Sequence, residues 1–423
     1  MKELYDMSVL ANVIGWNTAT APTEDLYEAE AFFHKLYQKE LVKFINQNPM
    51  HPISIFNNDE ANIDEQLKSE YFEKSQKLWK KYLSMKKTQS PADSEYFNLF
   101  DDVIEVTQRY MEAAGYTHPT QLTDAHIGSP TQIKKIVQRL AYYSLDFLEK
   151  KPHNTVNGLP QYTMDDVTDL LDDFEEVEYK VSDKNGSFMT PLDKDNARMH
   201  IASNKDDMFD TMSSVTHELG HALYQVRVLN KNTDIGKIGQ CVSLSLHESS
   251  SIFHEISLTG IDNKVTKNRN NIKRLGADKI HYILHIWLRM VIEDMLFSGE
   301  ITARDIPEVW NELCVQYLGM EPKDDWEGFL QDVHWNSGAF GYFHSYAIGF
   351  FNAVNMYVRN KHLLTDDMVH NVEKVLLPEI KRFYGDYNEY SYDILDDMYS
   401  DEDMNEYYDF IMKHFHYCDE GVD

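Results

Sequence analysis

The sequence predicts a mainly α-helical protein built as a single large domain, with one small β-sheet in an otherwise helical chain. Three observations predict it. Apolar residues recur at helical spacing nearly from end to end, no Gly/Ser- or Pro-rich linker interrupts the 423 residues, and a single stretch near residue 180 alternates as a strand does. A chain of this length can form one or two domains. The unbroken periodicity favours one, spanning 1–423, with 1–160 an N-terminal helical part and 161–423 the part that carries the chemical motifs.

Residues 24–47, 61–87, 93–114 and 130–150 read as long amphipathic helices. The last is opened by Ser129 as N-cap and Pro130 at the first helical position, where a missing N–H leaves nothing unsatisfied. Glu176 to Ser182 alternates in polarity and is followed by the turn signal Asp183-Lys184-Asn185-Gly186; Arg198 to Ala202 can supply its partner, so a small antiparallel sheet is expected. A helix over 205–228 follows, with Asn204 the expected N-cap. Further helices are expected over 241–259, 271–298, 306–319, 345–360 and 365–385. The aromatic and acidic run from Tyr387 to Tyr408 has helical spacing, and packing is its expected role.

Seventy acidic against 40 basic side chains give a formal net charge of −30, which argues against nucleic acid or an anionic membrane as a partner and reads as a device for solubility. Its corollary is that acidic peptides are repelled over long range and that salt masks the effect. Cys241, Cys314 and Cys418 are too few and scattered for a disulfide framework or a thiolate metal site, as fits a reducing compartment. Met7 to Trp16 is apolar and Ala19-Thr20-Ala21 mimics a leader cleavage site, but Glu3 and Asp6 spoil the positive start and Asn12 and Gly15 interrupt the run. A cytoplasmic protein without a membrane span is expected, since no segment has the roughly 20 apolar residues that a span needs.

The chemistry is concentrated in His217-Glu218-Leu219-Gly220-His221. On a helix, His217 and His221 share one face a turn apart, while Glu218 is rotated by about 100° and can reach a group held by both. Two imidazoles leave zinc unsaturated, because a catalytic site needs a third protein ligand and an open position for water. The helical pattern Leu244 to Glu255 supplies Glu248 as that ligand. Glu255 lies seven residues on, near the same face, and is a candidate to orient a ligand imidazole from behind. One zinc ion per chain is expected, and other divalent metals such as Co2+ can take its place.

These residues carry a resemblance. The stretch Thr216 to Tyr224, then His247-Glu248-Ser249, then Lys273-Arg274-Leu275-Gly276-Ala277-Asp278, then Gly328 to Trp335 with Phe340-Gly341-Tyr342-Phe343-His344-Ser345-Tyr346, resemble the motifs of the carboxypeptidase Taq family of zinc metallocarboxypeptidases. That family's motifs HExxH, HES(Q/G), IRxxAD, GxxQDxHW and FGYFPxY occur in this order. The likeness is weaker upstream, where only Trp16-Asn17 and Pro22 are similar to the family's opening, and the chain is shorter than typical members. Two motifs depart. HPF is represented by Gly186-Ser187-Phe188 and DxRxT by Asn196-Ala197-Arg198-Met199-His200, while HESQ has become His247-Glu248-Ser249-Ser250.

The resemblance implies a gluzincin-like helical fold with a deep active-site cleft, the small sheet lying beside the zinc helix, and a homodimer acting on peptides. It implies that Tyr346, with Tyr342 second, donates to the developing oxyanion. For the terminal carboxylate of a substrate, a bidentate arginine is the natural partner; Arg274 matches IRxxAD and Arg198 matches DxRxT. Asp278 and His334 fit supporting or cleft-wall roles. The expected activity is removal of C-terminal residues by a metal-activated water with Glu218 as general base. An endo-acting oligopeptidase is the alternative raised by the altered HPF and DxRxT positions, and a peptide-binding descendant without activity is the third reading.

Overall fold

The computed structural model describes residues 1–21, 23–57, 59, 63–124, 127–149, 151–152, 161–182, 186–241, 243–259, 279–365, 368–371, 374–375, 378, 400–414 and 417–418. The chain folds into two compact units, one of residues 1–61, 156–263 and 349–394, the other of 62–155, 264–348 and 395–423.

The first unit opens with helices Lys2–Thr20 and Glu24–Gln47, which pack on each other. Thr23 caps the second by accepting from the Leu26 N–H at 3.2 Å. Their apolar faces close over Ile53, Ile235 and Ile238 to form a core with Leu4, Tyr37, Leu41, Phe44 and Ile45. The apolar N-terminal run is thus a helix built into this core, with Ser8 donating to the Ile238 carbonyl at 2.5 Å. Among the described residues no helix is long and apolar enough to cross a membrane.

The sheet of this unit differs from the expected antiparallel pair. It has three strands, β1 (Val177–Ser182), β2 (Phe188–Pro191) and β3 (Ala197–Ala202), in the order β1-β3-β2. β1 runs parallel to β3 with Val177 opposite Ala197 and Ser182 opposite Ala202, whereas β2 runs antiparallel to β3 with Phe188 opposite His200. The sheet is therefore mixed. The reason lies in burial and in Pro191: β3 buries Ala197, Met199 and Ile201 fully and takes the centre, while β2 ends in a proline that cannot donate to a second neighbour and so stays at the edge. The 14 residues between β1 and β3 are long enough for the crossover that a parallel pair requires.

The helix Met208–Leu223 packs on β3 and on the helix Leu244–Thr259. Its N-cap is Asp207, which accepts from the Asp210 N–H at 3.0 Å, and not Asn204. Asn204 sits three residues too early; its side chain accepts from the Asp206 N–H at 3.2 Å and its own N–H donates to Thr211 Oγ1 at 2.9 Å. At its C-terminal end the helix widens into a π-turn over Tyr224–Leu229. Such turns re-aim side chains relative to an α-helix and recur at functional sites. The helix Phe343–Asn360 enters this unit at Gly349.

The second unit pairs helix Glu65–Thr88 with Ser94–Ala114, and Pro130–Glu149 with Lys279–Ser298, which also meets Ile306–Leu318. Ser129 caps Pro130–Glu149, accepting from the Gln132 N–H at 3.3 Å. Of the aromatic tail, Asp401–His414 is helical and docks by Arg139 to Asp401 at 2.7 Å and Tyr408 to Asp146 at 3.1 Å. The expected helical stretches 271–278 and 387–399, and most of 365–385, lie outside the described residues.

Candidate active site

In the first unit His217 and His221 stand one turn apart on Met208–Leu223, with ring centroids 4.8 Å apart. Glu248 comes to them from Leu244–Thr259. Its Oε2 lies 3.6 Å from His217 Nε2 and 3.8 Å from His221 Nε2, and one ligand atom from each of the three residues falls within 4.8 Å of the others. Two ligands each about 2.1 Å from a tetrahedral ion stand roughly 3.4 Å apart. The donor set and its spacing therefore fit a divalent cation.

The distances are fixed by how closely three helices approach. A Cβ on Gly220 would lie 2.7 Å from Ser251 Cα and 3.0 Å from the Ser250 carbonyl oxygen, so only glycine allows this crossing of the two motif helices. Ser250, at the position where HESQ departs, donates to the Gly220 carbonyl at 3.0 Å. On the far side a Cβ at Gly349 would lie 2.6 Å from Glu248 Cβ, and Asn352 donates to Ser249 Oγ at 3.2 Å. Gly220→Ala and Gly349→Ala are each expected to destabilise the protein by about 1–3 kcal/mol through overpacking, and Gly349→Ala to weaken metal binding by displacing Glu248. Thermal unfolding and metal titration check this; unchanged values in both would mean that the helices are free to part.

Behind the ligands, Glu255 Oε2 lies 3.4 Å from His217 Nδ1, and its other oxygen accepts from the Ser213 hydroxyl. Burial disfavours charge on His217, but the Glu255 hydrogen bond and the nearby charges of Glu248 and Glu218 outweigh it and raise its pKa. His221 is treated differently. Its Nδ1 meets Nδ1 of His247 at 2.5 Å, and burial, with the neighbouring imidazoles His247 and His217, holds its pKa well below the usual value. Burial likewise pushes His247 down to about 3.

Glu218 is 8 % exposed and makes no ligand contact of this kind. Burial raises its carboxyl to about 7 against the opposing effect of His217, with Glu248 and Glu255 adding to the rise. The Met189 backbone N–H, on edge strand β2, donates to that carboxylate. A carboxyl poised near neutrality beside a cation site can take and return protons.

The remaining expected residues are placed as follows. Arg198 donates through Nε and an NH2 group to Glu178 at 2.9 and 2.5 Å, and its guanidinium lies 4.6 Å from the Trp16 ring centroid. The two departed motifs meet in space: His200 is buried, its Nε2 2.8 Å from Ser182 Oγ and its Nδ1 3.0 Å from the Gly186 carbonyl, with Phe188 stacked on it. In the second unit His334 Nε2 lies 3.1 Å from Tyr346 Oη, and Tyr342 lies 5.2 Å from both rings. Asp332 caps the turn carrying His334 and Trp335 and pairs with Arg289 at 2.6 Å. Glu293, pushed up to about 8 by burial, accepts from Trp335 Nε1 at 2.8 Å and from the Gly341 N–H at 3.1 Å. His344, standing where FGYFPxY has proline, is fully buried against Asp124 at 2.9 Å. Arg274 and Asp278 lie outside the described residues.

A family model described as carboxypeptidase Taq (M32) metallopeptidase matches residues 174–261 and 256–384, the segments that carry the metal set and the His334 to Tyr346 motif. The chain belongs to this family. Within the M32 family it is 31% identical over 196 residues to carboxypeptidase 1 of Bacillus subtilis and 33% identical over 186 residues to thermostable carboxypeptidase 1 of Pyrococcus furiosus. These alignments take in 40% and 38% of the chain and only 39% and 37% of the relatives' own lengths. The fold is shared more widely: a solved Pyrococcus furiosus carboxypeptidase superposes with a TM-score of 0.74 at 20% identity, over 97% of this chain and 96% of that one.

Sequence reasoning missed the places of His247, Gly349 and the Met189 N–H. His247 was visible as the first residue of the HES element, but nothing in the linear spacing tells that its ring reaches His221.

Proposed function

We propose that the chain is a zinc-dependent metallocarboxypeptidase of the cytoplasm, acting as a homodimer that removes C-terminal residues from peptides. The observation that supports this most directly is the convergence of His217, His221 and Glu248 within 4.8 Å, beside a buried Glu218 raised to about 7. A zinc ion, when bound, supplies Lewis acidity and lowers the pKa of water toward about 7. The chain's own groups then act in order. Glu218 takes a proton from the attacking water, held in place by the Met189 N–H, and returns it to the departing amine. Tyr346, hydrogen-bonded to His334, is the proposed donor to the developing oxyanion, with Tyr342 the second candidate. The outer edge of β2 offers backbone groups that an extended peptide can pair with.

Purified protein is expected to hold about one zinc per chain, and His217→Ala or Glu248→Ala to lose most of it. Full stoichiometry with tight binding in Glu248→Ala would move the third ligand elsewhere and make Glu255 the residue to test. An endo-acting oligopeptidase using the same metal set is the second reading, favoured by Arg198, whose guanidinium is engaged by Glu178 and Trp16. Mass spectrometry of a digested peptide library separates stepwise C-terminal loss from internal cleavage.

A further inference from the structure

The two ligand imidazoles have unlike partners at their outer nitrogens. His217 faces the carboxylate of Glu255, which can only accept; His221 faces a second imidazole, His247, which could accept or donate. The direction of that contact decides whether His221 Nε2 carries a lone pair or a proton toward Glu248. It is settled far from the site, by backbone carbonyls.

Asn230 Nδ2 lies 3.2 Å from the Asp193 carbonyl and 3.0 Å from the Lys194 carbonyl. Carbonyls only accept, so this end of Asn230 is its amide nitrogen and its Oδ1 faces the other way. Oδ1 lies 2.9 Å from Gln225 Nε2, which also meets the Gly236 carbonyl at 3.2 Å. Gln225 is thereby fixed with its Oε1 toward His247 Nε2, at 3.3 Å. An acceptor there requires the proton of His247 on Nε2, leaving the His247 Nδ1 lone pair to accept from His221 Nδ1–H. The His221 proton is then on Nδ1 and its Nε2 is free to bind a cation. Asn230, Gln225 and His247 are all buried, so water does not compete for these bonds. The π-turn Tyr224–Leu229 carries Gln225 into this chain of contacts.

We propose that Gln225 and His247 are positioning residues that select the metal-binding tautomer of His221, with Asn230 as their anchor to the backbone; this rests on reading His221 as a metal ligand. Outer partners of this kind hold ligand rings in place, and their loss typically costs about 10- to 100-fold in metal affinity.

The test uses the full chain and zinc alone, its affinity read by competition with a chromogenic chelator. His247→Leu and Gln225→Leu are expected to weaken zinc binding by roughly 10- to 100-fold. His247→Asn, whose Oδ1 can stand where the ring Nδ1 was, is expected to stay within a few-fold of the native protein. In metal-free native protein with 15N-labelled histidine, long-range 1H–15N spectra should place the His221 proton on Nδ1 and the His247 proton on Nε2. Native affinity in His247→Leu, equal loss in His247→Asn and His247→Leu, or a His221 proton on Nε2 would each overturn the proposal. The spectra need no variant, so they decide the matter even where a leucine variant fails to fold. Failure of the native protein to bind zinc would instead overturn the metallopeptidase reading itself.

Discussion

Glu218→Gln is expected to keep the metal and to lower turnover at least about 100-fold, the usual scale for removing a general base. The substitution keeps the size of the side chain and leaves His217, His221 and Glu248 untouched. It replaces a carboxyl whose burial raises it to about 7 by an amide that cannot take a proton. The Met189 N–H still has an oxygen to donate to, so the edge strand need not shift. Metal analysis beside steady-state kinetics checks both halves of the expectation. Retained turnover with retained metal would remove Glu218 from the chemistry. Lost metal would show that its charge is needed for binding rather than for proton transfer.

Amidating the C-terminus of a peptide substrate is expected to lower kcat/KM by roughly 30- to 1,000-fold. A cation that pairs with the free carboxylate in a partly desolvated site loses its partner when the terminus is an amide, at a cost on the order of 2–4 kcal/mol. Arg274 is the proposed cation, because Arg198 already donates two hydrogen bonds to Glu178 and lies over Trp16. Arg274→Ala should erase most of the difference by slowing cleavage of the free peptide only, a pattern that general damage to the fold does not produce. Equal cleavage of both peptides, with internal fragments among the products, would replace the exopeptidase by an oligopeptidase.

Local rules were enough for the helices whose signals are local. Ser129, expected as a cap, accepts from an N–H three residues on, a short-range bond that spacing reveals, and Thr23 and Asp93 cap their helices in the same way. The same holds for His217 and His221, whose shared face follows from helical pitch alone. Glu248 was reachable because it lies on the next strongly helical segment. Strand direction was not reachable. Arg198 to Ala202 is the partner of the 176–182 strand as expected, but parallel to it, because Phe188–Pro191 takes the antiparallel place on the other side of the well-buried central strand, an arrangement that exists only once all three strands are present.

What the sequence by itself determined was the helical class, the small sheet's position before the HExxH helix, and the residues that can hold a cation. These follow from periodicity and from ligand chemistry, both carried by neighbours in the chain. Tertiary structure alone decided that Gly220 and Gly349 set how closely the helices bearing His217, His221 and Glu248 approach, that the Met189 N–H meets Glu218, and that Gln225 meets His247 and His247 meets His221. Each of these is a contact between elements many residues apart, and sterics and hydrogen-bond direction at such contacts come into being only when the helices have packed.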